Sequence, residues 1–132
     1  MLRTYEEHQG RINNLCFASN NKNFLSVANE TSIRLWDIQD SQTNSVASIQ
    51  AAHSDHIKKV AYLPDSEDYF LSASSDKSVK LWDLRNTKTA INSFSTPFSI
   101  EDFCFLPEGQ LLVANGANLT LMQLSTEGLK HL

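Results

Sequence analysis

Ser78-Val79-Lys80-Leu81-Trp82-Asp83 is the stretch that decides the fold, because it repeats the earlier stretch Ser32-Ile33-Arg34-Leu35-Trp36-Asp37 almost residue for residue. In both stretches, apolar residues alternate with a basic residue before a Trp-Asp ending. This period of two is the pattern of a β-strand whose two faces differ. A third stretch, Asn118-Leu119-Thr120-Leu121-Met122-Gln123, keeps the alternation but lacks the Trp-Asp ending. The chain therefore carries one unit three times, with a degenerate last copy.

Another shared run lies at the start of each unit, before the stretch quoted above. In this run an isoleucine is followed by two polar residues, an apolar, a small and an aromatic residue. The three runs start at Ile12, Ile57 and Ile100, which are 45 and 43 residues apart. Another apolar run follows a polar turn, and a fainter fourth run lies near Ser45–Ile49 and Thr89–Phe94. Four short strands at a repeat of about 40–45 residues are typical of one antiparallel blade of a β-propeller. No stretch has the helical period of about 3.6 residues, so we expect almost no helix.

These motifs together resemble the WD repeat family. The frame His…Ile-x-x-Leu-x-Phe…Leu-Ser…Ser-Ile-Arg-Leu-Trp-Asp extends across roughly residues 8–124. The resemblance implies an all-β, WD-type propeller fold with three four-stranded antiparallel blades that form part of a larger, seven-bladed ring. We place the blades at about residues 8–50, 53–94 and 96–125 of a partial propeller spanning 1–132, the third blade being degenerate. Because closed rings have about four to eight blades, we expect the chain to be a piece of a longer propeller protein or to complete a ring with another polypeptide.

The resemblance also implies a hydrogen-bonded set of histidine, serine, aspartate and tryptophan inside each blade. By position, the set comprises His53, Ser72, Asp76 and Trp82 in blade two and His8, Ser26 and Trp36 in blade one. Blade one has Glu30 in place of the aspartate, and we expect this longer side chain to miss the imidazole and leave a looser network. Blade three has Thr96, Met122 and Gln123 at the positions of the histidine, the tryptophan and the final aspartate. We therefore expect that blade to depend on apolar packing and to be the weakest of the three.

A nucleophilic triad is the competing interpretation of the blade-two set, with Ser72 as nucleophile, His53 as its base and Asp76 as the orienting residue. Against this, Ser72 lies inside a strand pattern and Trp82 competes for its oxygen. No glycine-rich oxyanion element accompanies the serine either. We therefore interpret the set as structural and expect no catalytic residue. The sequence also lacks the spacings of a zinc or nucleotide site, so we expect no metal and no cofactor.

Charge counts against independent nucleic-acid binding, because the net charge is −4 and phosphate neutralisation needs an excess of Lys and Arg. One segment does concentrate six basic residues: Lys58, Lys59, Lys77, Lys80, Arg85 and Lys88. Acidic residues are interspersed among them, so we favour a mixed, solvated surface over a phosphate-binding edge, with Lys58 and Lys59 as candidate partner-binding residues. Cys16 and Cys104 occupy equivalent positions of two blades that are not neighbours, so we expect free thiols in the apolar core rather than a disulfide.

A finer resemblance rests on residues 53–56 and 96–116, which are similar to propeller subunits of the small-subunit processome, in its UtpA subcomplex. It implies a non-catalytic nucleolar scaffold that acts in pre-ribosomal RNA transcription and small-subunit RNA maturation. The implied partners are other proteins of a large assembly, mainly WD-repeat subunits, with at most indirect or weak RNA contact. The alternative is a substrate receptor of a cullin-RING ubiquitin ligase, because Trp82-Asp-Leu-Arg85 resembles the ending with which such receptors dock on an acidic adaptor. A cytoplasmic location, or another WD-repeat adaptor role, also stays open.

Overall fold

Twelve β-strands make up the computed structural model, which describes residues 3–125 and 128–131. Blade one contains β1 (Ile12–Phe17), β2 (Asn23–Ala28), β3 (Ile33–Asp37) and β4 (Ala47–Ile49); blade two contains β5 (Ile57–Tyr62), β6 (Tyr69–Ser74), β7 (Ser78–Asp83) and β8 (Asn92–Ser95); blade three contains β9 (Ile100–Phe105), β10 (Gln110–Asn115), β11 (Asn118–Ser125) and β12 (Gly128–His131). Each sheet is antiparallel and pairs its strands in chain order. Within the described residues, the one helical piece is a 3₁₀ turn at Pro107–Gly109, and no helix is long and apolar enough to span a membrane. The predicted all-β fold of three four-stranded sheets is confirmed.

The three sheets share one strand register, which shows that they are copies of the same unit. The residue at the Trp position of the third strand lies opposite an apolar residue of the second strand in every blade: Trp36 opposite Phe24, Trp82 opposite Phe70 and Met122 opposite Leu111. In blades one and two the paired rings are stacked, with interplanar angles of 12° and 14°. Blade three replaces these aromatic pairs with aliphatic side chains at the same register.

The apolar core lies between neighbouring sheets, because each face of a sheet presents a different set of side chains. The front face of blade two presents Ile57, Val60 and Tyr62, which are buried in one cluster with residues of the back face of blade one: Leu25, Val27 and Ile33. A second cluster repeats the arrangement between blades two and three, with Ile100 and Phe103 buried among residues of the back face of blade two: Leu71, Ala73 and Val79. Each blade is thus stabilised by burying apolar area against its neighbour.

Polar groups on the first strand of each blade, called here the inner strand, also join blade one to blade two. The Oδ1 atom of Asn14 accepts the Val60 N–H at 3.2 Å, and the Sγ atom of Cys16 accepts the Tyr62 N–H at 3.4 Å. Both cysteines are free thiols; Cys16 packs against the first core cluster, whereas the expectation of a core position is wrong for Cys104. Cys16 is half-buried and Cys104 is exposed. The two cysteines occupy the same repeat position at the margin of the back face. A side chain at this position is covered only where the inner strand of a following blade lies against it.

The two outermost faces of the stack leave large apolar side chains in solvent. On the front face of blade one, Ile12, Leu15 and Phe17 are 48%, 64% and 44% exposed, although they are equivalent to the buried Ile57, Val60 and Tyr62. On the back face of blade three, Leu119 is 71% exposed and Leu121 is 37% exposed. The same residue type is therefore core or surface according to whether a neighbouring sheet covers it.

This contrast predicts different costs for two equivalent truncations. Ile57→Ala removes a fully buried side chain from the cluster between blades one and two, and we expect it to lower the free energy of unfolding by about 2–5 kcal/mol. Ile12→Ala, the matched control at the same register, should cost about 1 kcal/mol or less. Urea denaturation of dilute protein, followed by tryptophan fluorescence, measures both values. Equal costs for the two variants would contradict the packing described here.

Candidate functional site

Blade two contains an unbroken chain of hydrogen bonds from its tryptophan to a carboxylate. The Trp82 Nε1–H group donates to Ser72 Oγ at 2.8 Å, and the Ser72 hydroxyl donates to Nε2 of His53 at 2.7 Å. The Nδ1–H group of His53 donates to Asp76 Oδ2 at 2.9 Å. The carboxylate fixes the tautomer, since Nε2 of a neutral imidazole is left to accept the serine proton. The structure therefore brings together the four residues that the sequence placed in this set.

The charges of this set follow from burial and from the hydrogen bonds of Asp76. The Asp76 carboxylate accepts the Ser78 hydroxyl at 2.5 Å and the Ser54 N–H at 3.1 Å. Burial disfavours ionisation, but these bonds together with His53 hold the pKa of Asp76 below its ordinary value. Burial also lowers the pKa of His53 below its ordinary value, outweighing the attraction of the carboxylate. At neutral pH the set consequently holds a neutral imidazole beside an ionised aspartate.

Blade one forms the same chain, so the expectation that Glu30 would miss the imidazole is wrong. The His8 Nδ1 atom contacts Glu30 Oε1, and His8 Nε2 contacts the hydroxyl of Ser26. The Trp36 Nε1–H group donates to Ser26 Oγ at 2.8 Å.

The extra methylene of Glu30 is accommodated by a change within the turn. The second carboxylate oxygen of Glu30 accepts the Gln9 N–H at 2.8 Å. In blade two Ser78 donates to Asp76, whereas the equivalent Ser32 donates to Gln50 at 3.0 Å. Burial opposes ionisation of Glu30, but the bonds from His8 and Gln9 outweigh it and hold the pKa of Glu30 below its ordinary value. The network of blade one is therefore complete, with a different attachment to its turn.

Blade three lacks the chain and fills its place with apolar atoms. Met122 and Val113, at the positions of the tryptophan and the serine, are fully buried. Thr96, at the position of the histidine, is buried and donates locally to the carbonyl oxygen of Phe98 at 2.7 Å. Gln123 replaces the final aspartate and donates to the carbonyl oxygen of Glu108 at 3.0 Å. The expectation that blade three is the least stable of the three blades stays a prediction.

The geometry of Ser72 argues for the structural role of the blade-two set. Ser72 is completely buried and His53 is 2% exposed, so no substrate carbonyl has access to the hydroxyl oxygen. The same oxygen already accepts the Trp82 N–H, which reduces its availability as a nucleophile. No group of three or more His, Cys, Asp or Glu side chains suited to holding a metal ion occurs among the described residues. The chemistry-bearing residues of the blades therefore act as internal braces.

Arg85 is held against its own blade. Its Nε and Nη2 atoms each donate to a different oxygen of Asp83 at 3.0 Å, and Nη2 also donates to the Tyr69 hydroxyl at 2.7 Å. The guanidinium carbon lies 5.3 Å from the centre of the Tyr69 ring. The bonds to Asp83 raise the pKa of Arg85, and those from Arg85 lower the pKa of Asp83. This bidentate pair engages Nε and Nη2 of the guanidinium that the ligase interpretation assigns to an adaptor.

Lysines of the basic segment take part in contacts within the stack. Lys59 of blade two pairs with Asp102 of blade three at 3.3 Å, and its Nζ atom lies 5.9 Å from the centre of the Phe103 ring. Lys80 donates to the carbonyl oxygen of Ala52 at 2.8 Å. Lys58 is half-buried on the same inner strand as Lys59. Together with Arg85, three of the six basic residues thus make contacts within the fold, which agrees with a mixed surface rather than a phosphate-binding edge.

A protein-family model described as "WD domain, G-beta repeat" matches residues 1–37 and 44–83, which is more than half of the chain. The chain belongs to the WD40 family. Members of this family are typically non-catalytic scaffolds. The matched ranges contain both Trp-Asp endings and both complete hydrogen-bonded sets.

Two curated relatives match about half of this chain, and one solved structure superposes on nearly all of it. "Restriction of telomere capping protein 1" of Candida albicans is 38% identical over 63 residues, which cover 47% of this chain and 6% of that protein. The protein of the same description from Candida dubliniensis is 39% identical over 59 residues, covering 44% and 5%. A chain of the "Crystal Structure of Mitotic Checkpoint Complex" superposes with a TM-score of 0.84 at 18% identity, covering 99% of this chain and 42% of that chain. The latter likeness shows the fold alone.

One exposed feature of the third WD40 blade was not anticipated from the sequence. Phe98, in the loop after β8, is 51% exposed and packs on Gly116, whose added Cβ would lie 2.9 Å from the Phe98 Cβ. Beside it is an open cavity of about 460 Å³, lined by residues 94–97 and 117–120. In blades one and two an arginine or a lysine stands at the position of Thr120, so the short side chain leaves this space open. The sequence signal that could have indicated this feature was the replacement of the histidine by Thr96 next to the pair Pro97-Phe98.

The pKa of His53 predicts an acid-sensitive fold. Because this pKa is lower in the folded protein than its ordinary value of 6.5, the unfolded chain binds the proton more readily, and stability should decrease as pH falls below about 6.5. Glu30 and Asp76, whose pKa values are also lowered, should add further losses as the pH falls below their ordinary values of 4.5 and 3.8. The free energy of unfolding, measured by urea denaturation from about pH 8 to about pH 3, is the test.

Two histidine variants separate this effect from general acid sensitivity. His53→Gln should be less stable at pH 7 and should show a flatter dependence between about pH 6.5 and 5. His56→Gln, which changes an exposed histidine three residues away, should keep the slope of the unaltered protein. The same slope in both variants would refute the assignment.

Ser72 links two buried nitrogen atoms, so its removal should be costly. Ser72→Ala leaves both His53 Nε2 and Trp82 Nε1 without this partner, and we expect a loss of about 2–4 kcal/mol in the free energy of unfolding. Ser93→Ala, at an exposed position of blade two, should change it by about 0.5 kcal/mol or less. Chemical denaturation of both variants measures the difference, and a Ser72→Ala variant as stable as the unaltered protein would exclude the brace.

Proposed function

We propose that this chain is a non-catalytic scaffold that holds other proteins in a multi-subunit assembly. Membership of the WD40 family supports the interaction role in general. The observation that carries the proposal is the internal satisfaction of the reactive groups: both histidine chains are closed inside their blades. What the described residues present to a partner is a set of loops and strand edges.

The loop that carries Phe98 is the part of this surface best suited to a protein partner. A half-exposed aromatic ring beside an open cavity is the type of anchor that dominates protein–protein binding energy. The ring rests on Gly116, which limits its motion, so little conformational entropy is lost when a partner covers it. Lys58 and Lys59 contribute less, since Lys59 already pairs with Asp102.

A finer proposal assigns the scaffold to the small-subunit processome, with a nuclear and nucleolar location. Its support is the likeness of residues 53–56 and 96–116 to U3 small nucleolar RNA-associated protein 15, and the net charge of −4, which favours protein partners over RNA. The relatives found by comparison bear a different description and add no support to it. The matched segment is about 6% of the length of those relatives, so their whole-protein roles are not transferred to this chain.

The ligase alternative has a specific structural cost. Docking through Arg85 would compete with Asp83 and Tyr69, which engage Nε and Nη2 of its guanidinium through three hydrogen bonds. Among the two candidate roles, the geometry therefore favours the scaffold that does not use Arg85.

Affinity purification of the tagged chain from cells, followed by quantitative mass spectrometry and RNA sequencing, tests the proposal. We expect a reproducible set of proteins that is reduced at least about fivefold by Phe98→Ala and unchanged by Ile91→Ala. Ile91 is the matched control because it is an exposed apolar residue at the opposite end of β8. Processome subunits with U3 RNA in this set support the finer proposal, whereas a cullin adaptor lost on Arg85→Ala supports the alternative. No specific partner, or equal effects of Phe98→Ala and Ile91→Ala, would overturn the scaffold function carried by this loop.

A further inference from the structure

A small apolar cavity lies between blades one and two, beside β4. Its lining comes from the back face of blade one, at β2, β3 and β4, and from Leu84 and Thr87 in the loop after β7. The cavity has a volume of about 60 Å³. Both walls belong to one pair of neighbouring blades, so the cavity depends on neither the front face of blade one nor the back face of blade three.

This space exists because β4 carries smaller side chains than the equivalent strand of blade two. Ile49 and Ala47 of β4 stand at the register of Phe94 and Asn92 of β8. The Phe94 ring packs against the cluster between blades two and three, whereas the shorter side chain of Ile49 leaves room in front of it. The cavity is therefore a departure of β4 from the repeat, and blade two shows which residue would fill it.

The size and chemistry of the cavity suit the end of one aliphatic side chain. Its volume of about 60 Å³ exceeds the roughly 30 Å³ share of one water molecule but is far below the roughly 150 Å³ of a cavity that holds benzene. An aromatic ring is therefore too large, and a polar group would lose its water partners against walls made mainly of leucine and isoleucine. Ala47 and Ser48 are exposed, so the cavity opens to solvent beside β4.

The strand and the loop that border the cavity differ in charge from the rest of the chain. Residues 45–52 carry no charge, and residues 84–92 contain Arg85 and Lys88 but no acidic residue, although the net charge of the chain is −4. Arg85 is engaged by Asp83, so Lys88, exposed and next in sequence to Thr87, supplies the positive charge beside the cavity. A positive spot of this kind favours a ligand that carries a carboxylate.

We propose that this cavity binds an extended segment of a partner protein, with one leucine, isoleucine or valine in the cavity and an aspartate or glutamate paired with Lys88. Among the described residues β4 has no strand on its far side, so an extended segment can run along it. The acidic residue should stand within two positions of the aliphatic one, because each residue of an extended segment advances about 3.3 Å. The site is separate from the surface around Phe98 and does not rest on it.

Selection of short random peptides displayed on phage, against the whole chain, tests the proposal. Peptides that also bind Ile49→Phe are discarded, because this variant copies Phe94 of blade two into the cavity. Ala47→Leu, at an exposed position, blocks the cavity from its open side and is the second variant. Both variants should keep the β-type circular dichroism spectrum of the unaltered protein. We expect the enriched peptides to share an aliphatic residue with an aspartate or glutamate within two positions.

The affinity of the most enriched peptide, measured by fluorescence polarisation, decides the contacts. Ala47→Leu and Lys88→Glu should each weaken binding at least about tenfold. Lys77→Glu, the matched control at an exposed lysine of blade two, and Phe98→Ala should leave it unchanged. No enriched peptide, enriched peptides without the aliphatic and acidic pair, or equal binding by the unaltered protein and Ala47→Leu would each overturn the proposal. Binding lost on Phe98→Ala would overturn it as well and would support the other surface.

Discussion

The packing of the front face of one sheet on the back face of the preceding sheet is the interaction on which this structure depends. A single four-stranded sheet cannot bury its own apolar residues, because both of its faces carry them and each face needs a neighbouring sheet to cover it. Ile57 and Phe70 are fully buried only because Leu25 and Val27 of the preceding sheet cover them. The strand pairing, the turns and the internal hydrogen bonds define the shape of a blade, and stacking provides most of its stabilisation.

The hydrogen-bonded sets serve this packing by making polar groups tolerable inside the blades. A buried tryptophan N–H, a serine hydroxyl and an imidazole would each destabilise the fold if left without partners. In blades one and two they satisfy one another and end on a carboxylate, which orients the loop before the first strand against the turn between the second and third strands. Blade three has no polar side chain at the tryptophan and serine positions, where the buried Met122 and Val113 need no polar partner. The residues that look catalytic in the sequence are therefore explained by the requirements of burial.

Much of the fold was accessible from the sequence because it depends on local, periodic patterns. The alternation in Ser78–Asp83 and its recurrence predicted the strands, their grouping into three sheets and the low helix content. The sequence could not show whether a side chain reaches a given partner, or whether a neighbouring sheet covers it. Glu30 contacts His8 because the turn of blade one can reposition the carboxylate, a detail that spacing alone does not contain. Cys104 is exposed rather than buried because no described sheet follows blade three, although its repeat position is the same as that of Cys16.

The candidate partner surface was harder to predict for the same reason. Arg85 attracted attention as part of a motif, but its neighbours Asp83 and Tyr69 hold it in place, a contact that follows from the pairing of β6 with β7. Phe98 carries no motif, and it is proposed as a partner contact because the degenerate blade leaves a cavity beside it. The proposed partner surface therefore lies where blade three departs from the repeat, whereas the repeat itself specifies the framework.

Native-state hydrogen exchange of individual backbone amides tests the stacking account most directly. If interfaces between sheets stabilise the fold, the amides of β2, β5 and β6, which meet at the first interface, should open together with one common free energy. The amides of β1, whose front-face side chains are exposed, should exchange faster than the equivalent amides of β5 in dilute protein. Equal protection of β1 and β5, or independent opening of the sheets on either side of the interface, would contradict the account.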